Sequence, residues 1–492
     1  MGNSRTDILP GISCVEISAT DEEDLFGEDD QSETSGDDIK HTNAINPGAT
    51  KLMELEILLN RTFANSYFGK VPICISAAVY SVANQLGTHL LRDFQSLEGD
   101  KTSSAKSLVT LLRHALHASR ERDTHTYFEA ALQGEKLAMS ILHKFKCWPS
   151  STFREAHRFF SVLLALAFAD YGQMLPALRT LDKAAIFGLS RGLIEGLYRY
   201  VELHSSSISS VCDTSLTQRI VLDYSSYEMR SLVLKEGLSK PIRYPTSEVD
   251  RIPNNLRGYE ALAIRDFATK WKALEKWRNL DYFAETLGNR IVPIEHGGMM
   301  DKNGMREELM TFRNFVLWHL EPSASRVVFP LDTLSTALNS TPVDIAYLAQ
   351  HQLFDQIELL LDDIDPAPSS ICCESRPKHL NAWIGTGGTR TPLHFDSYDN
   401  LLVQLVGCKY VRLYDKSETE NLYVIREGAS YANQGNMSAV DCEKEDISCH
   451  PLVKKAHYTE VVLFPGDALY IPSQTWHYVR SLSTSASVNY WW

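Results

Sequence analysis

Of the nine cysteines in this 492-residue chain, none forms a CxxC pair, and the adjacent Cys372 and Cys373 are poorly placed to bridge each other. An odd, scattered set of this kind excludes a secreted disulfide framework and fits a reducing compartment, the nucleus or the cytoplasm. Long apolar runs are also missing. The longest lies around Phe159–Ala169, too short to span a bilayer, and the polar amino terminus has no secretory apolar core, so no membrane attachment is expected. Excess basic charge is absent as well. The net charge is −14, and residues 1–45 carry twelve acids against Arg5 and Lys40, which leaves only −4 on the rest of the chain. Direct nucleic-acid binding through phosphate neutralisation is therefore not expected.

What is present divides into four regions. Residues 1–45 read as an acidic disordered tail, since Ser18–Asp38 is nearly free of large apolar residues. Residues 46–215 read as an α-helical domain: apolar residues recur every three or four positions in KLMELEILLNRTF, AKSLVTLLRHAL, YFEAALQGEKLAMSILHKF and the stretch from Arg154 to Leu189. Short turn formers such as Cys147-Trp148-Pro149-Ser150 separate these patterns, and Ala165–Gly188 has the small-residue contacts of a tetratricopeptide-type hairpin, without a 34-residue period elsewhere. This domain is expected to be either packing scaffold or a surface for a protein partner. Residues 216–240 read as a linker. From residue 241 to 492 the pattern changes to short β-branched and aromatic runs, RIVPIE, LNAWIG, NLLVQLV, KYVRLY, EVVLFPGDALYIP, WHYVRSL and SASVNYWW, split by Pro, Gly and Asp as in an antiparallel barrel or sandwich. Phe464-Pro465-Gly466-Asp467 predicts a type II turn. GMREELMTFRNFVLWHL and DIAYLAQHQLFDQI read as helical pieces. The fold class is thus α+β.

Chemistry concentrates in TPLHFDSYDNLLVQLVGCKYVRLY. Strand residues two apart share a face, so His394 and Asp396 are expected to point together, and His477 in the late run QTWHYV supplies a third donor. Two histidines and a carboxylate on one side of an ion leave open coordination positions, the facial arrangement of non-haem Fe(II) oxygenases. His319-Leu320-Glu321 offers a competing His-x-Glu pair, but on a helical pattern residues two apart do not share a face. Lys409 follows on the next strand-like run. A buried lysine needs a partner, and an anionic co-substrate would provide one.

The order HFD, Asn400, Lys409, PGDALYIP, WHYV and YWW resembles the JmjC family of Fe(II)/2-oxoglutarate oxygenases over about residues 240–492, with a weaker echo in the helical half. The resemblance implies a double-stranded β-helix of the cupin type as the catalytic domain, with Fe(II), 2-oxoglutarate and O2 as its cofactor and co-substrates. It implies His394, Asp396 and His477 as iron ligands. Lys409, Thr391 and Tyr347 are implied as holders of the distal 2-oxoglutarate carboxylate, and Asn400 as a polar contact near the metal. Glu295, Gln350, Trp383 and Trp491 are implied as the substrate pocket, in a protein or peptide hydroxylase acting most readily on arginine. Demethylation of a histone methyl-lysine, a non-catalytic interaction protein and a cupin with another metal are the alternatives. His296-Gly297-Gly298 and Val424–Lys455 do not follow the family pattern, which puts the pocket rim in question.

Overall fold

The structure is a computed structural model. The residues described are 103–144, 151–188, 194–205, 222, 239–241, 256, 260–297, 305–324, 345–366, 377–425, 435–443 and 448–492. The acidic tail, the KLMELEILLNRTF pattern, the Cys147–Ser150 turn and most of residues 216–240 lie outside them.

Helices α1 (Ser103–Glu121), α2 (Thr124–Lys144), α3 (Ser151–Asp170), α4 (Met174–Ile186) and α5 (Glu195–Ser205) follow the apolar periodicity, each packed on its predecessor. Their apolar stripes, including Leu112, Ala131, Phe160, Leu163, Leu181 and Val201, form one buried cluster. α3 and α4 make a hairpin in which Ala165, Ala169, Ala177 and Ala184 are buried and allow close approach. Nothing in this hairpin marks it as specifically tetratricopeptide.

The remainder is two facing sheets. One runs β1 (Ser239–Pro241), β10 (Tyr458–Leu463), β9 (Lys409–Tyr414), β12 (Trp476–Ser481), β7 (Arg390–His394). The other runs β2 (Leu262–Ile264), β11 (Ala468–Ile471), β8 (Asn400–Val406), β13 (Ser485–Trp491), β6 (His379–Gly385), β5 (Ala346–His351), β3 (Ile291–His296), β4 (Arg306–Thr311). Pairing is antiparallel except between β1 and β10. β1 includes Ser239 and Lys240, so this pairing reaches back into the expected linker. Gly466, at φ +96°, and a hydrogen bond from Asp467 N to Phe464 O (2.9 Å) make the expected tight turn between β10 and β11.

Two segments expected to be helical are strands over part of their length. Arg306–Thr311 is β4, and Ala346–His351 is β5. Their Glu, Leu, Met and Ala residues favour helix locally, but β3 offers an unpaired ladder on each side, and β6 a second for β5. Sheet pairing overrides a weak local preference. The helical reading holds only for their continuations, Phe312–Ser323 and Leu353–Gln356.

Alternation along the strands decides what faces the interior. Leu401, Val403, Leu405, Ala486, Val488, Tyr490, Ala346 and Leu348 pack outward against the short helices. Tyr410, Tyr414, Trp476 and Tyr478 pack outward from the other sheet. Between the sheets Leu402, Val411, Leu413, Val461, Leu463, Leu469 and Ile471 fill one end. Continuing the same inner parity toward the other end gives Lys409, Asn400, His477, Tyr347, Ser487, Asn489 and Trp491, a polar set around a cavity.

The helical region is tied to the second sheet by a buried ion pair. Arg290 donates to both carboxylate oxygens of Asp182 (2.6–3.1 Å), to Glu202 Oε1 (2.8 Å) and to the Gln356 carbonyl (2.8 Å), while Ile291 N donates to Asp182 Oδ2 (3.0 Å).

Candidate metal centre

The inner end of the sandwich holds a cavity of about 320 Å³. All eleven residues singled out from the sequence line it: Glu295, Tyr347, Gln350, Trp383, Thr391 and His394, with Asp396, Asn400, Lys409, His477 and Trp491.

His394 closes β7 and pairs directly with His477 near the start of β12. Asp396 is not on the strand, as the shared-face argument assumed. β7 ends at His394, and Asp396 sits in the loop beyond, held by a hydrogen bond from Gln474 N to its backbone carbonyl (2.8 Å). Gln474 has φ +65°, an uncommon backbone state for a non-glycine residue. The loop still brings the three donors together, with ligand atoms within 4.8 Å of one another. Asp396 Oδ1 is 3.7 Å from His394 Nε2, and Oδ2 is 3.6 Å from His477 Nε2.

Both rings are oriented by their other nitrogen. His394 Nδ1 donates to the Pro392 carbonyl (2.8 Å) and His477 Nδ1 to the Thr475 carbonyl (2.9 Å), so the two Nε2 atoms face the carboxylate. Burial, helped by the neighbouring His477, pushes the His394 imidazole down to about 4, so it stays neutral and able to coordinate. Two imidazoles and one carboxylate on one side of a buried point fit a divalent transition metal with open positions. His319, by contrast, sits in a π-helical turn, Val316–Leu320, beside His296 and away from this cluster.

Lys409 is buried at 2% exposure, with Nζ donating to Ser487 Oγ (2.7 Å) and to the Tyr347 hydroxyl (3.4 Å). No carboxylate stands among these partners, and burial drives the ammonium down to about 7. Thr391 lines the same cavity, so the lysine, two hydroxyls and the phenol face one space. The Trp383 indole donates to Asn489 Oδ1 (2.9 Å), and Asn489 donates to Asn400 Oδ1 (3.2 Å). Trp491 stacks on Tyr398 (5.5 Å between ring centroids), and its buried indole nitrogen has no hydrogen-bond partner among the described residues. Burial and the nearby Glu307 raise the Glu295 carboxyl to about 7. Gln350, at φ +46°, lies where the β5–β6 register slips, which re-aims its side chain into the cavity.

Sequence reasoning missed Ser487, Asn489, Arg390, Asn436 and Met437, all at this cavity or hydrogen-bonded to its lining. The first two were findable. In SASVNYWW the odd positions Ser485, Ser487, Asn489 and Trp491 alternate with core residues, and two-residue periodicity puts them inside. Asn436 and Met437 come from a segment with no strand pattern, and no sequence signal marks them.

Residues 262–492 match the Cupin-like domain family. The chain is 39% identical over 272 residues to JmjC domain-containing protein F of Dictyostelium discoideum, covering 46% of this chain and 56% of that protein. It is 35% identical over 269 residues to Lysine-specific demethylase 8 of Danio rerio (52% and 60% covered), and 36% over 225 residues to Jumonji C domain-containing protein 5 of Drosophila melanogaster (45% and 52%). The chain thus spans about half the length of the curated relatives it matches. Residues 262–492 are thus a cupin-like domain, two facing sheets with the paired histidines and Asp396 at their inner end, similar in sequence to proteins named for the JmjC domain.

Proposed function

We propose that this domain is an Fe(II)- and 2-oxoglutarate-dependent oxygenase that hydroxylates a protein side chain, with arginine the preferred target. The observation that carries it is the coexistence in one buried cavity of the His394–Asp396–His477 donor set and a lysine with no carboxylate among its hydrogen-bond partners. A bound iron would supply oxidative decarboxylation of 2-oxoglutarate coupled to oxygen insertion. The chain's own residues bind, orient and exclude water. His394, Asp396 and His477 hold the metal. Lys409 pairs with the distal carboxylate of the co-substrate, with Tyr347 and Thr391 as further hydroxyl donors, and Asn400 donates near the metal. Outward-packed Leu401, Val403 and Tyr490 keep bulk water from the strands that carry these groups.

Glu295, Gln350, Trp383 and Trp491 form the substrate side. A guanidinium is planar, pairs with a carboxylate and stacks on aromatic faces, which suits one Glu with two Trp residues. The second reading is methyl-lysine demethylation, supported by the names of relatives such as Lysine-specific demethylase 8. Either activity implies a protein or peptide substrate in the nucleus or cytoplasm, with the helical domain available to a partner. Among the described residues no helix is long and apolar enough to cross a membrane.

The test is succinate release by purified protein with Fe(II), ascorbate and 2-oxoglutarate, run with pooled arginine and methyl-lysine peptides, for wild type and His394→Ala. One added oxygen on an arginine peptide, lost in the variant, is the expected result. Loss of a methyl unit moves the activity to demethylation. Equal background in both proteins refutes the oxygenase reading.

A further inference from the structure

Glu443 lies outside the cavity lining, yet one buried carboxylate (8% side-chain exposure) gathers three donors from the two strands that carry both histidines. Arg390 of β7 donates to Oε2 (3.3 Å), while Tyr478 (2.5 Å) and Arg480 of β12 donate to Oε1. Arg390 is four residues before His394, and Tyr478 directly follows His477. The β7–β12 ladder is irregular between His477 and Val479, so regular backbone pairing lapses beside the metal ligand. Glu443 spans that lapse from the side chains.

The same residue anchors a strap. Residues 435–443 run along the free edge of β7: Ser438 N donates to the Leu393 carbonyl (2.9 Å), Phe395 N donates to the Asn436 carbonyl (3.0 Å), and His394 forms an antiparallel bridge with Met437. Asn436 Nδ2 also donates to the Phe395 carbonyl (2.9 Å), one residue before Asp396. Met437 stands beside His394, and both strap residues line the cavity. His394 is therefore gripped between β12 and the strap, and Glu443 is the group common to both grips.

We infer that Glu443 is a positioning residue for the metal centre, setting the separation of His394 and His477 by bridging β7, β12 and the 435–443 strap. The inference rests on the triad being a metal site. A packing role alone would change stability and leave the ligand geometry untouched; a positioning role changes the ligand field.

The experiment is Co(II) titration of the metal-free full chain, read by the visible d–d spectrum and by calorimetry, for wild type, Glu443→Gln and Arg390→Gln. Leu163→Ala, in the helical core, serves as the destabilised control. Both test variants are expected to shift the d–d bands and weaken Co(II) binding about tenfold, within the range for outer-sphere partners of metal ligands, while the control lowers Tm with unchanged bands. If Glu443→Gln does not fold, because Arg480 is left buried without its carboxylate, Arg390→Gln decides alone, since it leaves Tyr478 and Arg480 on the carboxylate. Folded variants with wild-type bands and affinity overturn the inference. A wild type that binds no Co(II) refutes the metal reading itself, a different and recognisable failure.

Discussion

Lys409→Met is expected to stabilise the ligand-free protein while removing its response to 2-oxoglutarate. The lysine would titrate near 10.5 in water, and burial brings it to about 7. At pH 7 that difference costs the folded state roughly 4 kcal/mol. Methionine has similar length and no charge, but it leaves Ser487 Oγ without its 2.7 Å partner, a loss of about 1–3 kcal/mol. The net gain is about 1–3 kcal/mol, a Tm rise of a few degrees for a domain this size. The sign with pH follows from proton counting. Between pH 7 and 10.5 the unfolded wild type binds more protons than the folded one, so wild-type stability rises with pH across that window. The advantage of the variant is therefore full below pH 7, vanishes where the falling lysine penalty equals the loss at Ser487, and is reversed by about pH 10.5. A dicarboxylate at a hundred times its Kd should add about 2.7 kcal/mol to the wild type and almost nothing to the variant. Thermal unfolding at pH 6.5, 8 and 10, with and without 2-oxoglutarate, reads all of this. A variant less stable than wild type at pH 6.5 without ligand would refute the account, since it would mean that the buried ammonium is already compensated.

Glu295 titrates in the opposite sense. Its carboxyl is raised to about 7, so at saturating 2-oxoglutarate the KM for arginine peptides should fall as pH rises from 6 to 8, and Glu295→Gln should give a high, flat KM. Asp182→Asn leaves Arg290 buried with one fewer charged partner, and should cost about 3–5 kcal/mol in chemical denaturation. Because Asp182 also holds the Ile291 amide at the start of β3, the loss should register in the cupin-like domain as well as the helical one. Gly407→Ala places a Cβ 2.1 Å from the Thr484 carbonyl at φ +68°. The strain should cost at least about 2 kcal/mol and, two residues from Lys409, should weaken 2-oxoglutarate binding measured by calorimetry.

Local pattern carried a large share of this protein. The short β-branched and aromatic runs NLLVQLV, KYVRLY and WHYVRSL were enough to predict strands, because strands buried on both faces read as continuous apolar runs, and helical spacing was enough for α1 to α4, because a helix buries one stripe. The His-x-Asp pair, the late histidine and Lys409, which the structure brings to one cavity, were legible because few side-chain types suit a metal or a buried anion. Tertiary structure decided the rest. β4 and β5 became strands against their helix-favouring composition because β3 had edges to fill. Asp396 reached the two histidines from a loop, fixed by a backbone bond to Gln474 rather than by strand geometry. The alternation in SASVNYWW fixes which residues share a face, but only the closing of two sheets turned that face into the partner of Lys409. The strap beside His394 was invisible in sequence because its role depends on a hydrogen-bonding edge and on Glu443 meeting two arginines. Those contacts exist only between segments far apart along the chain.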